Sequence, residues 1–147
     1  MSRTSLWSLI LCVWVGVSLV AATTLPPNVR IAGIQLTPCA TKVGLAKVYL
    51  EVSQLRLTGN ELTGSYAIRV PLLPYKNETG TIRLETPASL EQLETIGGRL
   101  TGSARSDDDE TRVVNCEVDP HGTIRIDIAT GQRTLSFNTE YEVSGGS

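Results

Sequence analysis

The densest group of side chains that could do chemistry is a run of four carboxylates, Asp107, Asp108, Asp109 and Glu110. Calcium takes roughly six to eight oxygen ligands, so these residues are candidates for a calcium site. The acids are consecutive, however, whereas the ligands of an EF-hand loop alternate with other residues around a glycine. Charge runs more often form solvated turns. The preferred interpretation is therefore an exposed hairpin tip, with the four residues kept as calcium candidates.

Catalysis by a nucleophile and a base would have to use His121, because it is the single histidine of the chain. It lies in Asp-Pro-His-Gly at residues 119–122, a sequence typical of turns, and the chain has no nucleophile elbow. A phosphate-cradling glycine loop and a dinucleotide fingerprint are both absent. We predict a non-catalytic protein without a cofactor. The alternative enzyme is a hydrolase using paired carboxylates such as Glu117 and Asp127.

The first 22 residues are predicted to form a secretory signal peptide. An apolar stretch from Leu6 to Val20 follows the cation Arg3, and the small residues Ala21 and Ala22 come next. This stretch is shorter than the ~20 apolar residues that a membrane-spanning helix needs. Cleavage after Ala22 is therefore favoured over an uncleaved anchor. We expect residues 23–147 to form one domain that is secreted or periplasmic.

Two cysteines, Cys39 and Cys116, remain once the signal peptide is removed, because Cys12 lies within it. An even number of cysteines in an oxidising compartment predicts a disulfide. A shared metal site would need further ligands, and His121 is the only histidine available. We predict a structural disulfide between Cys39 and Cys116, and no metal site at these residues.

The charge balance excludes some classes of partner. The chain has 13 Lys and Arg against 15 Asp and Glu, a formal net charge of −2, with both signs interleaved. Binding to nucleic acid needs a concentrated basic surface, and electrostatic attraction to anionic lipid needs a similar one. We therefore expect no nucleic-acid partner. We also expect no membrane span after the signal peptide is cleaved.

The remaining sequence has the pattern of β-strands almost throughout. Apolar and polar residues alternate with a period of two, which is typical of strands that pack one face on a core. The segments that show this pattern are 46–53, 61–72, 124–128 and 135–143. They predict an all-β domain, either an antiparallel β-sandwich or a small β-barrel. A capping box at Ser89 and Gln92 allows at most one short helical turn near residues 88–96.

An internal repeat relates residues 55–85 to residues 93–127. Six of eleven positions in 55–65 match 93–103, including Leu-Thr-Gly-Ser, and Gly-Thr-Ile-Arg recurs further along each copy. We predict that the barrel or sandwich contains a duplicated hairpin unit. Gly64 and Gly102 occupy matching places inside strands, where a bulge or a barrel-corner bend would favour glycine.

The most apolar segment after the signal peptide runs from residue 66 to residue 75. Pro71 and Pro74 cannot donate to a strand ladder, so the segment is predicted to end at a sheet edge or to open into a loop. Its function would be to form the rim of an apolar pocket or to dock another chain. The structural alternative is a segment that only enters the core and leaves it. The candidate ligand or partner edge consists of Tyr66, Ile68, Val70, Leu72, Leu73 and Tyr75.

These observations favour an exported, non-catalytic binding module whose ligand is an apolar small molecule, a lipid or an envelope protein. The alternative is a structural envelope or matrix protein that associates with itself through strand edges. The carboxylate-dependent hydrolase is the third hypothesis. A sequon at Asn77 would allow glycosylation in a eukaryotic source.

Overall fold

The computed structural model describes residues 32–145, so the predicted signal peptide at residues 1–22 lies outside the described part. Within this part, helix α1 spans Leu90–Thr95, a 3-10 turn spans Pro74–Lys76, and no helix is long and apolar enough to span a bilayer. The ten strands found there are β1 (Gly33–Leu36), β2 (Cys39–Val43), β3 (Ala46–Val52), β4 (Leu55–Thr58), β5 (Glu61–Arg69), β6 (Glu78–Glu85), β7 (Gly98–Ser106), β8 (Thr111–Asp119), β9 (Thr123–Ala129) and β10 (Thr134–Ser144).

The strands form a closed antiparallel barrel with eight walls. β1 pairs with β4, and β2 pairs with β3, in one continuous register that runs from Gly33 opposite Arg56 to Val43 opposite Ala46. β1 and β2 together therefore form one wall of the barrel, and β3 and β4 together form the next. Pro38, which has no N–H to donate, lies at the interruption between β1 and β2. The later strands pair in chain order, and the pairing of β10 with β1 closes the barrel. The predicted all-β fold class is confirmed, as a barrel.

Alternate residues of each strand face the interior, as the period of two predicts. On β8, Val114, Cys116 and Val118 are buried while the residues between them are exposed. Burial of these apolar side chains is the main favourable contribution to folding. Other side chains that are fully buried in the core are Ile34, Leu55, Leu62, Leu84, Leu93, Leu100, Ile124, Ile126, Ile128 and Phe137.

Helix α1 lies in the connection between β6 and β7, at one end of the barrel. The Ser89 hydroxyl accepts from the Gln92 backbone N–H at 3.2 Å, and the Gln92 side chain accepts from the Ser89 N–H at 3.1 Å, which is the predicted capping box. Leu90 and Leu93 are buried in the core, and the Tyr141 hydroxyl donates to the Leu93 carbonyl at 3.3 Å. The helix therefore covers this end of the barrel.

Glycines lie at inward positions where neighbouring strands approach most closely. A Cβ added at Gly102 would lie 1.9 Å from the Arg83 carbonyl oxygen, and one at Gly80 would lie 2.0 Å from the Arg105 carbonyl oxygen. No side chain fits at such distances. The strand register is unbroken on both sides of Gly102. Beside Gly64 it is unbroken towards β6, but towards β3 and β4 it shifts by one residue, from Arg56 opposite Thr63 to Val52 opposite Tyr66. The structure therefore has no bulge at Gly102, and beside Gly64 it has a bulge whose extra residue lies in the partner segment between Val52 and Arg56.

The repeated sequences occupy partly equivalent places. The two Leu-Thr-Gly-Ser sequences lie on β5 and β7, and their leucines, Leu62 and Leu100, are fully buried. The two Gly-Thr-Ile-Arg sequences lie on β6 and at the start of β9. β6 is a neighbour of β5, whereas β8 separates β9 from β7. The Leu-Thr-Gly-Ser strands of the two copies are thus equivalent, whereas the Gly-Thr-Ile-Arg strands occupy different positions relative to them.

We predict that Gly102→Ala lowers the free energy of unfolding by about 2–3 kcal/mol, because the new methyl fits only if the backbone of β6 moves. Gly131→Ala is the matched control, since nothing lies within 4 Å of a Cβ added there. Urea unfolding of the two variants measures the difference. Equal stability of both variants would contradict the close approach of β6 and β7.

Candidate functional site at the barrel mouth

Four connections lie at the end of the barrel opposite α1: those between β2 and β3, β5 and β6, β7 and β8, and β9 and β10. Because the strands alternate in direction, every second connection falls at the same end. We call this end the mouth. It contains a cavity of about 480 Å³ whose apolar wall includes Val43, Val48, Ile68, Val70, Leu73 and Leu135. Its polar residues include Lys76, Glu78, Arg112 and Arg133.

The apolar wall belongs to the core of the barrel. Val48, Ile68 and Val70 retain only 5%, 6% and 7% of their exposure, yet each lines the cavity. They project from β3 and from the end of β5 and the residue after it. The floor of the cavity is therefore continuous with the packed interior, and a molecule bound there would contact preformed apolar surface.

The backbone ladder is interrupted on one side of the barrel, between β2 and β10. Near the other end, residues 141–144 of β10 pair with β1. The Thr37 N–H continues this contact by donating to the Glu140 carbonyl at 3.0 Å. Beyond Pro38, and within the described residues, β2 forms a ladder with β3 and none with β10. On this side β2 and β10 lie side by side without a ladder, and the Thr139 hydroxyl donates to the Thr37 carbonyl at 2.6 Å.

Two charged side chains enter the cavity from the strands. Glu78 on β6 and Arg112 on β8 each share the inward parity of the buried residues that follow on their strand. Arg112 donates to Glu78 from Nη2 to Oε2 at 2.7 Å and from Nε to Oε1 at 3.1 Å, and the two side chains are only 20% and 16% exposed. The Tyr66 hydroxyl donates to Glu78 Oε1 at 2.5 Å. Arg112 also pairs with Glu110 at 2.9 Å. These bonds form a bidentate, charge-assisted network.

The surroundings fix the protonation states of this network. The hydrogen bonds from Arg112 hold the pKa of Glu78 below its ordinary value, against the opposing effect of burial. Burial, and next the hydrogen bond to Glu78, raises the pKa of Tyr66. The bond to Glu78 also raises the pKa of Arg112. At neutral pH the network therefore consists of a carboxylate, a guanidinium and a neutral hydroxyl.

The predicted ligand edge, residues 66–75, is divided between the interior and the mouth. Tyr66, Ile68 and Val70 are buried, and β5 pairs with β3 and β4 on one side and with β6 on the other. Of the two expected endings, a sheet edge or a loop, β5 has the loop, because the strand ends at Arg69 and both prolines lie in the connection to β6. Leu73 lines the cavity, and the loop residues Leu72 and Tyr75 are 71% and 79% exposed.

The acidic run forms the tip of the hairpin between β7 and β8, as predicted. Asp109 has a positive φ of 65° and pairs with Arg105 at 2.8 Å, and the Asp107 carboxylate accepts from the Thr79 hydroxyl. Glu110 pairs with Arg112, and Asp108 is exposed. Among residues 32–145, no group of three or more His, Cys, Asp and Glu is placed to hold a metal ion. Asp107, Asp108, Asp109 and Glu110 are therefore not placed together as ligands of one calcium ion.

The predicted disulfide is not formed, since Cys39 and Cys116 are both free thiols. β9 and β10 stand between β8 and the wall made of β1 and β2. At ~4.8 Å per strand, the cysteines are on the order of 14 Å apart along the wall, beyond the roughly 7 Å between Cα atoms that a disulfide can bridge. Burial raises the pKa of Cys116 to about 12 and also raises that of Cys39.

The residues considered for catalysis lie away from the mouth. His121 is exposed in the turn between β8 and β9, where its backbone N–H donates to the Asp119 carboxylate. Glu117 and Asp127 project from the outer wall and pair with Arg99 and Arg125 at 3.0 and 3.1 Å. These two carboxylates therefore do not face each other across a cleft.

Glu78 and Arg112, which line the cavity, were not among the residues that the sequence singled out. A signal for them exists in the alternation of each strand. Glu78 has the parity of Gly80, Ile82 and Leu84, and Arg112 has that of Val114 and Cys116. A charge at an inward position marks a buried polar pair or the end of the core.

Comparison with protein-family models, with curated proteins and with solved structures found no match to this chain. The function is therefore argued from the geometry of the mouth.

We predict that Glu78→Gln lowers the free energy of unfolding by about 2 kcal/mol at neutral pH, because it leaves Arg112 largely buried without its carboxylate. The pKa of Glu78 is lowered in the folded protein. Its stabilisation is therefore present above the ordinary carboxyl pKa and is lost as the pH falls through the lowered pKa. The difference in stability between wild type and variant should shrink in acid.

Glu117→Gln is the control for this prediction, since Glu117 and Arg99 are 59% and 70% exposed and such pairs contribute roughly 0–1 kcal/mol. Urea unfolding at neutral pH and at about pH 3 measures both variants. A Glu78→Gln effect of the same size at both pH values would show that the ion pair is not its cause.

Proposed function

We propose that this protein is an exported, non-catalytic binding module that holds a small, largely apolar molecule in the barrel mouth. The observation that carries the proposal is the cavity of about 480 Å³, which has one apolar wall and lies at the end of a barrel with a packed core. Ligand pockets measure roughly 300–1,000 Å³, are mostly apolar, and occur in the mouths of β-barrels. Export rests on the predicted signal peptide at residues 1–22.

The position of the cavity supports binding at the mouth over storage deep inside the barrel. Phe137, Leu55 and Leu62 are fully buried and fill the interior. α1 covers the opposite end. A ligand therefore reaches the apolar wall only from the mouth. Because Val48 and Ile68 project from hydrogen-bonded strands, this part of the wall needs little ordering on binding.

A second groove, of about 730 Å³, lies beside α1 and the turn between β4 and β5. It borders Ala32 and Gly145, which are the two ends of the described part of the chain. The cavity at the mouth lies away from both ends of the described residues and combines apolar surface with a charged pair. The mouth is therefore the better-supported site.

The alternative functions have less support from the structure. Self-association through strand edges needs unpaired strands, and closure of the barrel leaves, in the described part, mainly the facing edges of β2 and β10 without a ladder. A hydrolase using Glu117 and Asp127 needs these carboxylates to face a cleft, whereas each is paired with an arginine on the outer wall.

The test is binding of N-phenyl-1-naphthylamine, a neutral apolar probe whose fluorescence rises on burial. We expect saturable binding of one molecule per chain. Ala46→Trp should weaken it at least tenfold, because Ala46 lines the cavity and an indole there would fill it. The matched control is Ala40→Trp, which places the same side chain on the exposed face of the same hairpin.

Binding by the wild type and by Ala40→Trp, with loss in Ala46→Trp, would support the mouth as the site. Absence of saturable binding by the wild type would overturn the proposal. Equal binding by the two variants would also overturn it, because the probe would then occupy another surface. Circular dichroism of each variant checks that the barrel is folded.

A further inference from the structure

The cations around the mouth indicate the chemical class of the ligand. We propose that the ligand is an aliphatic carboxylate, with its chain against the apolar wall and its anionic end bound by Lys76 and Arg133. This inference rests on the proposed function, and it adds the identity of the polar group that the mouth selects.

Lys76 and Arg133 line the cavity from two different connections, the 3-10 turn after β5 and the loop between β9 and β10. Within residues 32–145 neither side chain has an ion-pair partner. By contrast, Arg69, Arg99 and Arg105 on the outer wall each pair with a carboxylate at 2.8–3.0 Å. The two cations at the mouth are therefore available to an anion from solution.

The charge lining the cavity has the opposite sign to the charge of the whole chain. The lining contains three cations, Lys76, Arg112 and Arg133, and a single carboxylate, Glu78. The formal net charge of the chain is −2. Since Arg112 and Glu78 neutralise each other through a bidentate pair, the remaining positive charge belongs to Lys76 and Arg133. Clefts lined by charge of one sign raise the local concentration of ligands of the other sign.

The acidic hairpin tip lies at the same end of the barrel but outside the cavity. None of its residues is among those that line the cavity. Asp109 is paired with Arg105, and Asp107 accepts from Thr79. Glu110 shares Arg112 with Glu78, and Asp108 is exposed. The negative charge of the tip therefore lies beside the cavity and not in its lining.

The order of apolar and charged residues from floor to rim fits an amphipathic molecule. Val48, Ile68 and Val70 are buried, whereas Lys76 and Arg133 are exposed at the rim. A carboxylate bound by exposed cations keeps part of its hydration, so it avoids the large desolvation cost of a buried ion. The apolar chain then contributes affinity through the area that it buries.

The experiment compares dodecanoate, dodecan-1-ol and dodecylammonium as competitors of N-phenyl-1-naphthylamine, at low ionic strength and below their micelle concentrations. We expect dodecanoate to bind about tenfold more tightly than the alcohol, equivalent to about 1.4 kcal/mol. Added salt should reduce this ratio, because exposed charges are screened. The double variant Lys76→Gln, Arg133→Gln should bring the affinity for dodecanoate down towards that for the alcohol.

The matched controls are Lys42→Gln, on the outer face of β2, and Arg99→Gln, at the other end of the barrel; both should keep the preference for the carboxylate. Equal affinities for carboxylate and alcohol, tighter binding of the ammonium, or a preference that survives in the double variant would overturn this inference. In each of these cases binding of the alcohol would still support the proposed function. Failure of all three compounds to displace a bound probe would overturn the carboxylate inference, and failure of the probe itself to bind would overturn both.

Discussion

Pairing of β10 with β1 joins residues about 110 positions apart and closes the sheet, and most other features of the structure depend on this closure. A closed sheet has one interior, so the alternation of each strand divides its residues between the core and the solvent. A barrel of eight walls must also coil tightly. Gly80 and Gly102 meet this requirement at the points where a Cβ would collide with the neighbouring backbone. Closure finally places four connections at the mouth, and α1 at the opposite end.

The Arg112–Glu78 pair marks where the apolar core ends. Placing a guanidinium and a carboxylate at inward positions costs desolvation, and the cost is offset only if their hydrogen bonds are satisfied. Here both carboxylate oxygens accept from Arg112, and Tyr66 adds a third donor. Within the described residues, no buried side-chain polar atom lacks a partner. The pair thus provides a fixed polar group beside the aliphatic wall of the cavity.

The alternation of apolar residues was sufficient to predict β3, β5, β9, β10 and the all-β class, and the residues Ser89 and Gln92 predicted the capping box. The alternation could not distinguish a barrel from a sandwich, because no local pattern specifies the pairing of β1 with β10. The Cys39–Cys116 disulfide was inferred from the number of cysteines, and that number says nothing of the strands between them. For residues 66–75, Pro71 and Pro74 predicted that the strand ends at an edge or in a loop, and β5 ends at Arg69 in a loop. Glu78 and Arg112 lie 34 positions apart, so only the fold brings them together.

The claim that the mouth is the binding site is tested most directly by following methyl resonances of the isotopically labelled protein during titration with dodecan-1-ol, a neutral ligand. The methyl groups of Val48, Val70 and Leu135 should shift in a saturable way, because these side chains line the cavity. Those of Leu90 and Leu93, on the buried face of α1, should remain in place. Shifts centred on the α1 end, or no saturable shift at the mouth, would contradict the assignment.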